Sequence, residues 1–224
     1  MAASTPSPRA AVDGPDAFRE AFGVSRETVE KLITYEEELK RWQKAVNLVA
    51  PSTLDTIWQR HFADSAQVAD FIPPNVNHIC DVGSGGGFPG LVLAIMLTKP
   101  RDLRVTLVES DTRKAAFLRE TARRIEIPVE ILSTRIETNA TVQRLNSVDT
   151  VTARALAPLD RLFGLVAPVF SCETVGVFLK GQDVAREIDQ ARLGWAFSLD
   201  LHESVTDADG RIAVIRNLTR KSEA

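Results

Sequence analysis

The run CDVGSGGGFPG at positions 80–90 carries the densest chemical signal in the chain. Gly83, Gly85 and Gly87 alternate with other residues, so the backbone there can turn tightly and approach a ligand without Cβ clashes. The run follows an apolar segment and precedes a helical one. That places it at the carboxyl end of a first strand, where doubly wound sheets bind ligands. Gly85, Gly87 and Gly90 satisfy the dinucleotide pattern G-x-G-x-x-G literally, so the pattern alone does not choose the ligand. Asp81, just before the first glycine, disfavours a pyrophosphate and suits an amino-acid ammonium and a sulfonium. Pro89 removes one N–H from the helix start, where a pyrophosphate needs donors. Glu109 ends the next apolar run, placed to accept hydrogen bonds from ribose hydroxyls. Both ligand readings use such an acid.

The elements that must position these residues are legible around them. Asn77–Val82 is the first strand and Phe88–Leu97 a helix. Leu103–Glu109 is the second strand and Thr112–Ile125 a helix, and Val129–Leu132 is the third strand. Val148–Ala153 is the fourth strand, followed by a helix over Leu159–Phe170. Thr174–Lys180 is the fifth strand, followed by a helix over Val184–Ala196. Phe197–Val205 and Arg211–Leu218 flank Asp209-Gly210, a hairpin signal. The alternation predicts an α/β fold: a mostly parallel seven-stranded sheet, helices on both faces and an antiparallel terminal hairpin. Ahead of it, residues 16–75 read as a helical extension. Ser25 is a candidate N-cap, and Leu32, Tyr35, Leu39, Trp42 and Val46 make one apolar stripe. Thr53–Phe71 reads as a second helix, ended by Pro73-Pro74-Asn75. Residues 1–15, rich in Ala, Ser and Pro, read as a disordered tail, and residues 76–224 as the main domain.

Composition narrows the classes. The 224 residues are 44% hydrophobic and 25% charged, which suits one medium globular domain with an appendage. No apolar run reaches the length of a membrane span, and the N-terminus lacks the apolar core of a secretory signal. Cys80 and Cys172 have no metal-binding or disulfide spacing, and His61, His78 and His202 are scattered. No metal is expected, and a reducing cytoplasm is. A net charge of −3 does not announce a nucleic-acid partner, so such binding needs local basic patches. Arg113, Lys114, Arg119, Arg123 and Arg124 share one predicted helix. Lys40, Arg41 and Lys44 form a second group, with Arg60 near.

Several segments in fixed order resemble one family. They are KAVNLVA (44–50), QRHFADS (59–65), DVGSGGGFPG (81–90), VESDTRKAAFL (108–118), STRIE (133–137), TARAL (152–156) and FLKG (178–181). Together they are similar to the glucose-inhibited division protein B family, bacterial methyltransferases of guanine N7 in small-subunit (16S) ribosomal RNA. The D-x-G-x-G-x-G form also resembles the first motif of Rossmann-like class I methyltransferases. The resemblance implies S-adenosyl-L-methionine as cofactor, with Asp81, Gly83, Gly85, Gly87, the Phe88 backbone and Glu109 around it. It implies that Ile136 and Glu137 bracket the adenine, and that Arg154 lies beside cofactor and target as the residue closest to catalysis. RNA contacts are expected from Arg60, Arg113, Lys114, Arg135 and Lys180. Two positions depart from the family: Ala153 replaces its usual Ser, and Ile136 its usual small residue.

Methyl transfer to guanine N7 needs alignment and no proton removal, because N7 carries a free lone pair. Absences agree with this chemistry. No Asn/Asp-Pro-Pro-Tyr/Phe motif follows the fourth strand, and neither cysteine follows a proline, so a covalent cytosine mechanism has no nucleophile. Arg135 and Arg154 could bind phosphate or a guanine edge; for Arg154 a phosphate or the cofactor carboxylate suits the cationic product better. His61 and Asp64, at i and i+3, share a helix face, either docking the N-terminal helices or serving the site. Two other readings compete. One is an NAD(P)-dependent oxidoreductase using the same glycine turn; the other is a non-catalytic RNA-binding module, against which Asp81, Glu109 and Arg154 argue.

Overall fold

The computed structural model describes residues 11–98, 102–145 and 147–221. Strands β1 (His78–Val82), β2 (Arg104–Val108), β3 (Glu130–Leu132), β4 (Thr150–Arg154) and β5 (Val175–Lys180) run parallel. β6 (Trp195–Glu203) and β7 (Arg211–Arg220) form the hairpin. β7 inserts antiparallel beside β5, giving the order β3-β2-β1-β4-β5-β7-β6. β1 has β2 on one side and β4 on the other, so the strand order reverses there. A crevice opens beyond the carboxyl ends of these strands, as in other doubly wound sheets.

Period-two alternation divides the core. Ile79 and Asp81 face the side covered by α4 (Gly90–Leu97) and α5 (Thr112–Arg124), while Cys80 and Val82 face α7 (Leu159–Val166) and α8 (Val184–Gly194). The first side is also covered by the N-terminal helices α1 (Pro15–Phe22) and α2 (Arg26–Gln43). The Ser25 hydroxyl caps α2 by accepting the Thr28 amide at 3.1 Å, and Leu32, Tyr35 and Leu39 are fully buried. Tyr35 packs against Phe62, Phe88 and Phe117 at centroid distances of 5.3, 5.4 and 6.2 Å. Each such pair adds about 0.5–1.5 kcal/mol beyond area burial. The extension and the sheet therefore share one core.

Several details differ from the expectation. The second N-terminal helix is a run of mixed winding: 3-10 over Pro51–Thr56, π over Trp58–Ala63, α3 over Asp64–Ala66 and 3-10 again over Gln67–Phe71. The wide π turn buries Trp58, His61, Phe62 and Ala63 together. α4 begins at Gly90 rather than Phe88, because the glycine turn continues through Phe88-Pro89. β6 takes over at Trp195, directly after Gly194, where the expected helix ran on to Ala196. α6 (Asn139–Arg144) is polar and short, with no apolar stripe to announce it. The hairpin connection spans residues 204–210, longer than the Asp-Gly signal implies. Residues 1–10 of the expected tail lie outside the described residues. Val12, within the expected tail, is buried, and its amide donates to Gln59 Oε1 at 2.7 Å.

Candidate active site

The glycine turn is built from both sides. The Gly83 and Ser84 amides donate to the Val108 carbonyl at 2.9 and 3.2 Å, continuing the β1–β2 ladder past the strand ends. Glu109 then accepts the Gly85 amide at 2.8 Å and the Asp111 amide at 2.7 Å. Gly83, Gly85 and Gly87 have φ of 69°, 55° and 94°, where a side chain would be strained. Gly90 serves packing: a Cβ there would lie 2.5 Å from both Asp81 Cβ and Leu107 Cδ2. From the N-terminal side, the Tyr35 hydroxyl donates to the Gly86 carbonyl while its ring stacks on Phe88.

Asp81 lies beneath this turn, not within it. Its residue is fully buried, and Oδ1 accepts the Thr152 hydroxyl at 2.7 Å. Burial raises its pKa from 3.8 to about 6, against the lowering effect of the Ser84 and Thr152 hydroxyls. The carboxyl lies on the α4 side with Ile79, and Asp81 is not among the residues that line the crevice.

Arg154 ends β4 on the same face as Thr152, and therefore points at the N-terminal helices. Nη1 donates to the Arg60 carbonyl at 3.1 Å and to Asp64 Oδ2 at 3.2 Å, and Nη2 reaches His61 Nδ1 at 2.8 Å. Its guanidinium carbon lies 4.8 Å from the centroid of Phe88, on which His61 also stacks at 4.9 Å. Burial, then the charges of Arg154 and Arg60, hold the His61 pKa down at about 3. Asp64 is held in turn by Gln67 and by the Thr206 hydroxyl, at 3.0 and 2.8 Å on Oδ1. Gln67 Oε1 also accepts the Val205 amide at 2.9 Å, clasping the β6–β7 connection to the N-terminal run.

These elements enclose a cavity of about 810 Å³. Its walls are the glycine turn, residues 48–53 and 60–64 of the N-terminal part, residues 154–158 after β4, the end of β5 and the β6–β7 connection. Five cations line it (Arg60, Lys114, Arg154, Lys180 and Arg211) against three carboxylates (Asp64, Glu187 and Asp207). The cavity is thus locally positive in a chain of net charge −3. Leu156 leans across the turn: a Cβ on Gly83 would lie 2.6 Å from Leu156 Cδ1. Ala155 precedes it with φ of 51°, a strained value for a non-glycine.

Of the residues singled out in the sequence, Gly83, Gly85, Phe88, Arg154, Arg60, His61, Asp64, Lys114 and Lys180 line the cavity. Gly87 and Glu109 lie directly behind it. Ile136 is buried, and Glu137 pairs with Arg135 at 3.6 Å outside the lining. Arg113 is exposed at the start of α5, 3.9 Å from Asp111. Lys180, expected at the RNA, lies in the wall with its ammonium on the Ala157 carbonyl at 2.8 Å and on Glu187 at 2.5 Å, its side chain 7% exposed. It fixes the segment after β4. Sequence reasoning did not assign Thr53, Leu156, Glu187 or Arg211. The KAVNLVA segment gave a signal for one wall, since Leu48 to Ala50 line the cavity.

The family model described as rRNA small subunit methyltransferase G matches residues 28–218. A protein of Parvibaculum lavamentivorans named Ribosomal RNA small subunit methyltransferase G is 45% identical over 203 residues, covering 91% of this chain and 89% of its own. A Brucella anthropi protein of the same name is 44% identical, covering 88% and 92%. Among solved structures, the O-methyltransferase from Bacillus cereus in complex with SAH superposes with a TM-score of 0.59 at 15% identity, covering 93% of this chain and 98% of its own. A SAM-dependent methyltransferase from Aquifex aeolicus gives 0.54 at 14% identity, covering 81% and 97%. These two share the fold.

Proposed function

We propose a target atom and a division of labour from one premise: the chain belongs to the rRNA small subunit methyltransferase G family. It is an S-adenosylmethionine-dependent methyltransferase of small-subunit ribosomal RNA. Membership decides the glycine turn in favour of the methyl donor over a nicotinamide dinucleotide. The target atom is N7 of a guanine in 16S rRNA, and the transfer is an in-line displacement without a general base.

One observation carries this reading: among the described residues, the cavity lining offers no free proton acceptor. Asp64, Asp207 and Glu187 are paired with Arg154, Arg60 and Lys180. His61 has both ring nitrogens engaged. A ring nitrogen with a free lone pair asks for nothing more than alignment.

The residues present fit the cofactor. The three positive-φ glycines bare backbone groups at the crevice, as close approach of an amino-acid and nucleoside ligand requires. The bound donor supplies an electrophilic methyl group on a sulfonium. Gly83, Gly85, Gly87 and the Phe88 backbone cradle it, and Asp81 acts from below by keeping the turn seated on α4. Glu109 uses each oxygen once on a backbone amide, and the remaining lone pairs accept ribose hydroxyls. Ile136 and Glu137 bracket the adenine through their backbone. Arg154 uses three of its five N–H donors on protein, and the other two take the cofactor carboxylate or an RNA phosphate. Lys114, Arg60, Arg113 and Arg135 hold RNA at the rim. Residues 16–75 act as part of the site, and the protein works as a monomer in the cytoplasm, beside its ribosomal substrate.

The test is transfer of labelled methyl from S-adenosylmethionine to small subunits lacking the modification, followed by chemical cleavage at N7-methylguanine. Cleavage at one guanine is expected. Label on an exocyclic amine, on N1 or on protein would refute the assignment.

A further inference from the structure

We propose that His61, through Nδ1, is the acceptor that aims the Arg154 guanidinium into the cavity, and that Thr53 sets the ring tautomer that makes this bond, so both are positioning residues. The inference rests on the methyl-transfer reading only for the consequence in turnover; the hydrogen-bond chain stands without it.

The chain of bonds admits one proton arrangement. The Thr53 hydroxyl has a single proton, which it donates to the Ala50 carbonyl at 2.7 Å. Its oxygen therefore accepts from His61 Nε2–H, 2.7 Å away. Arginine has donors only, so His61 Nδ1, 2.8 Å from Arg154 Nη2, carries no proton. A doubly protonated ring would set two cations against each other, and burial opposes it as well. The π turn over Trp58–Ala63 makes the geometry available, bringing the Arg60 carbonyl, His61 and Asp64 to one guanidinium. π turns of this kind recur at functional sites. Phe88 underlies both the guanidinium and the imidazole, so rotation of either disturbs the glycine turn.

Two measurements test this. The first is the tautomer, read from long-range ¹⁵N–¹H correlation spectra of the cofactor-free protein at neutral pH. The expected pattern has Nδ1 unprotonated and Nε2 protonated; a protonated Nδ1 overturns the proposal. Because Arg154 also demands a bare Nδ1, the role of Thr53 is read in Arg154→Met: there Thr53 alone should hold the Nε2–H form, and adding Thr53→Val should shift population to Nδ1–H; an unchanged tautomer overturns the role of Thr53. The second is a double-mutant cycle on single-turnover methyl transfer to small subunits. His61→Leu should slow transfer about 10- to 100-fold, the equivalent of one charge-assisted hydrogen bond. His61→Asn, whose amide oxygen can stand near Nδ1, should recover most of it. His61→Leu with Arg154→Met should be no slower than Arg154→Met alone. Multiplicative losses, or an Asn variant as slow as the Leu variant, overturn the proposal. Absence of methyl transfer by the unmodified protein, with the expected tautomer present, would instead overturn the function proposed above.

Discussion

Asp81 encloses a carboxyl group where solvent does not reach, and its titration should show in stability. Its pKa is raised, so the protonated form is the one the fold favours. Its contribution is fully present below 3.8 and is lost as pH rises through about 6. That interval corresponds to about 3 kcal/mol. Asp81→Asn should therefore gain stability relative to the parent as pH rises from 4 to 7, measured by denaturant unfolding at each pH. A difference that stays flat would mean that the carboxyl is not desolvated. Gly83 makes the complementary case at the surface of the crevice. Its φ of 69° and the nearness of Leu156 leave no place for a side chain. Gly83→Val should lower S-adenosylmethionine affinity at least about tenfold, by calorimetry, while far-UV circular dichroism stays unchanged. Gly90→Ala acts on the core instead: it should destabilise by about 1–3 kcal/mol, because Asp81 and Leu107 already occupy the space.

At the scale of elements, α2 supports the ligand turn through a single hydroxyl. Tyr35→Phe keeps the ring stack on Phe88 and removes the donor to the Gly86 carbonyl. It should cost about 1–3 kcal/mol of stability, the penalty of a buried carbonyl without a partner, with weakened cofactor binding in the same calorimetric assay. The apolar stripe in the sequence placed Tyr35 on the buried face of α2. It could not show the hydroxyl's partner, which is 51 residues away along the chain. Strand and helix periodicity gave the parallel order, and the glycine spacing gave the crevice, because both are local patterns with a fixed repeat. The π turn was not legible, since QRHFAD reads equally well as regular helix and the wider winding is imposed by what Trp58 and Phe62 bury. Asp81 was expected at the ligand because a carboxylate suits an ammonium and a sulfonium; period-two alternation alone could not show that α4 covers its sheet face or that Thr152 takes one of its oxygens. The pairing of Lys180 with Glu187 was not legible either, because Glu187 lies on the next helix and only the fold brings the two together.

Across the whole molecule, charge is the feature to test. The net charge of −3 and the positive cavity are opposed, so RNA binding should depend on a few cations rather than on a general field. Lys114→Ala should weaken binding to small subunits and lower the slope of log affinity against log salt by roughly one, as for one lost phosphate contact. An unchanged slope would place Lys114 away from the RNA. Saturating cofactor should stabilise the whole fold, since extension and sheet share a core. At about 100 times Kd the gain is about 2.7 kcal/mol, visible as a single transition moving to higher temperature. Finally, the clasp of Gln67 and Asp64 on residues 204–206 ties a segment made early in synthesis to one made near its end. A chain ending before Ser204 would keep the glycines, Glu109 and Arg154, and Gln67 would still reach Asp64, but the Thr206 hydroxyl on Asp64 and the Val205 amide on Gln67 would be missing, so the wall that these late residues supply completes the crevice last.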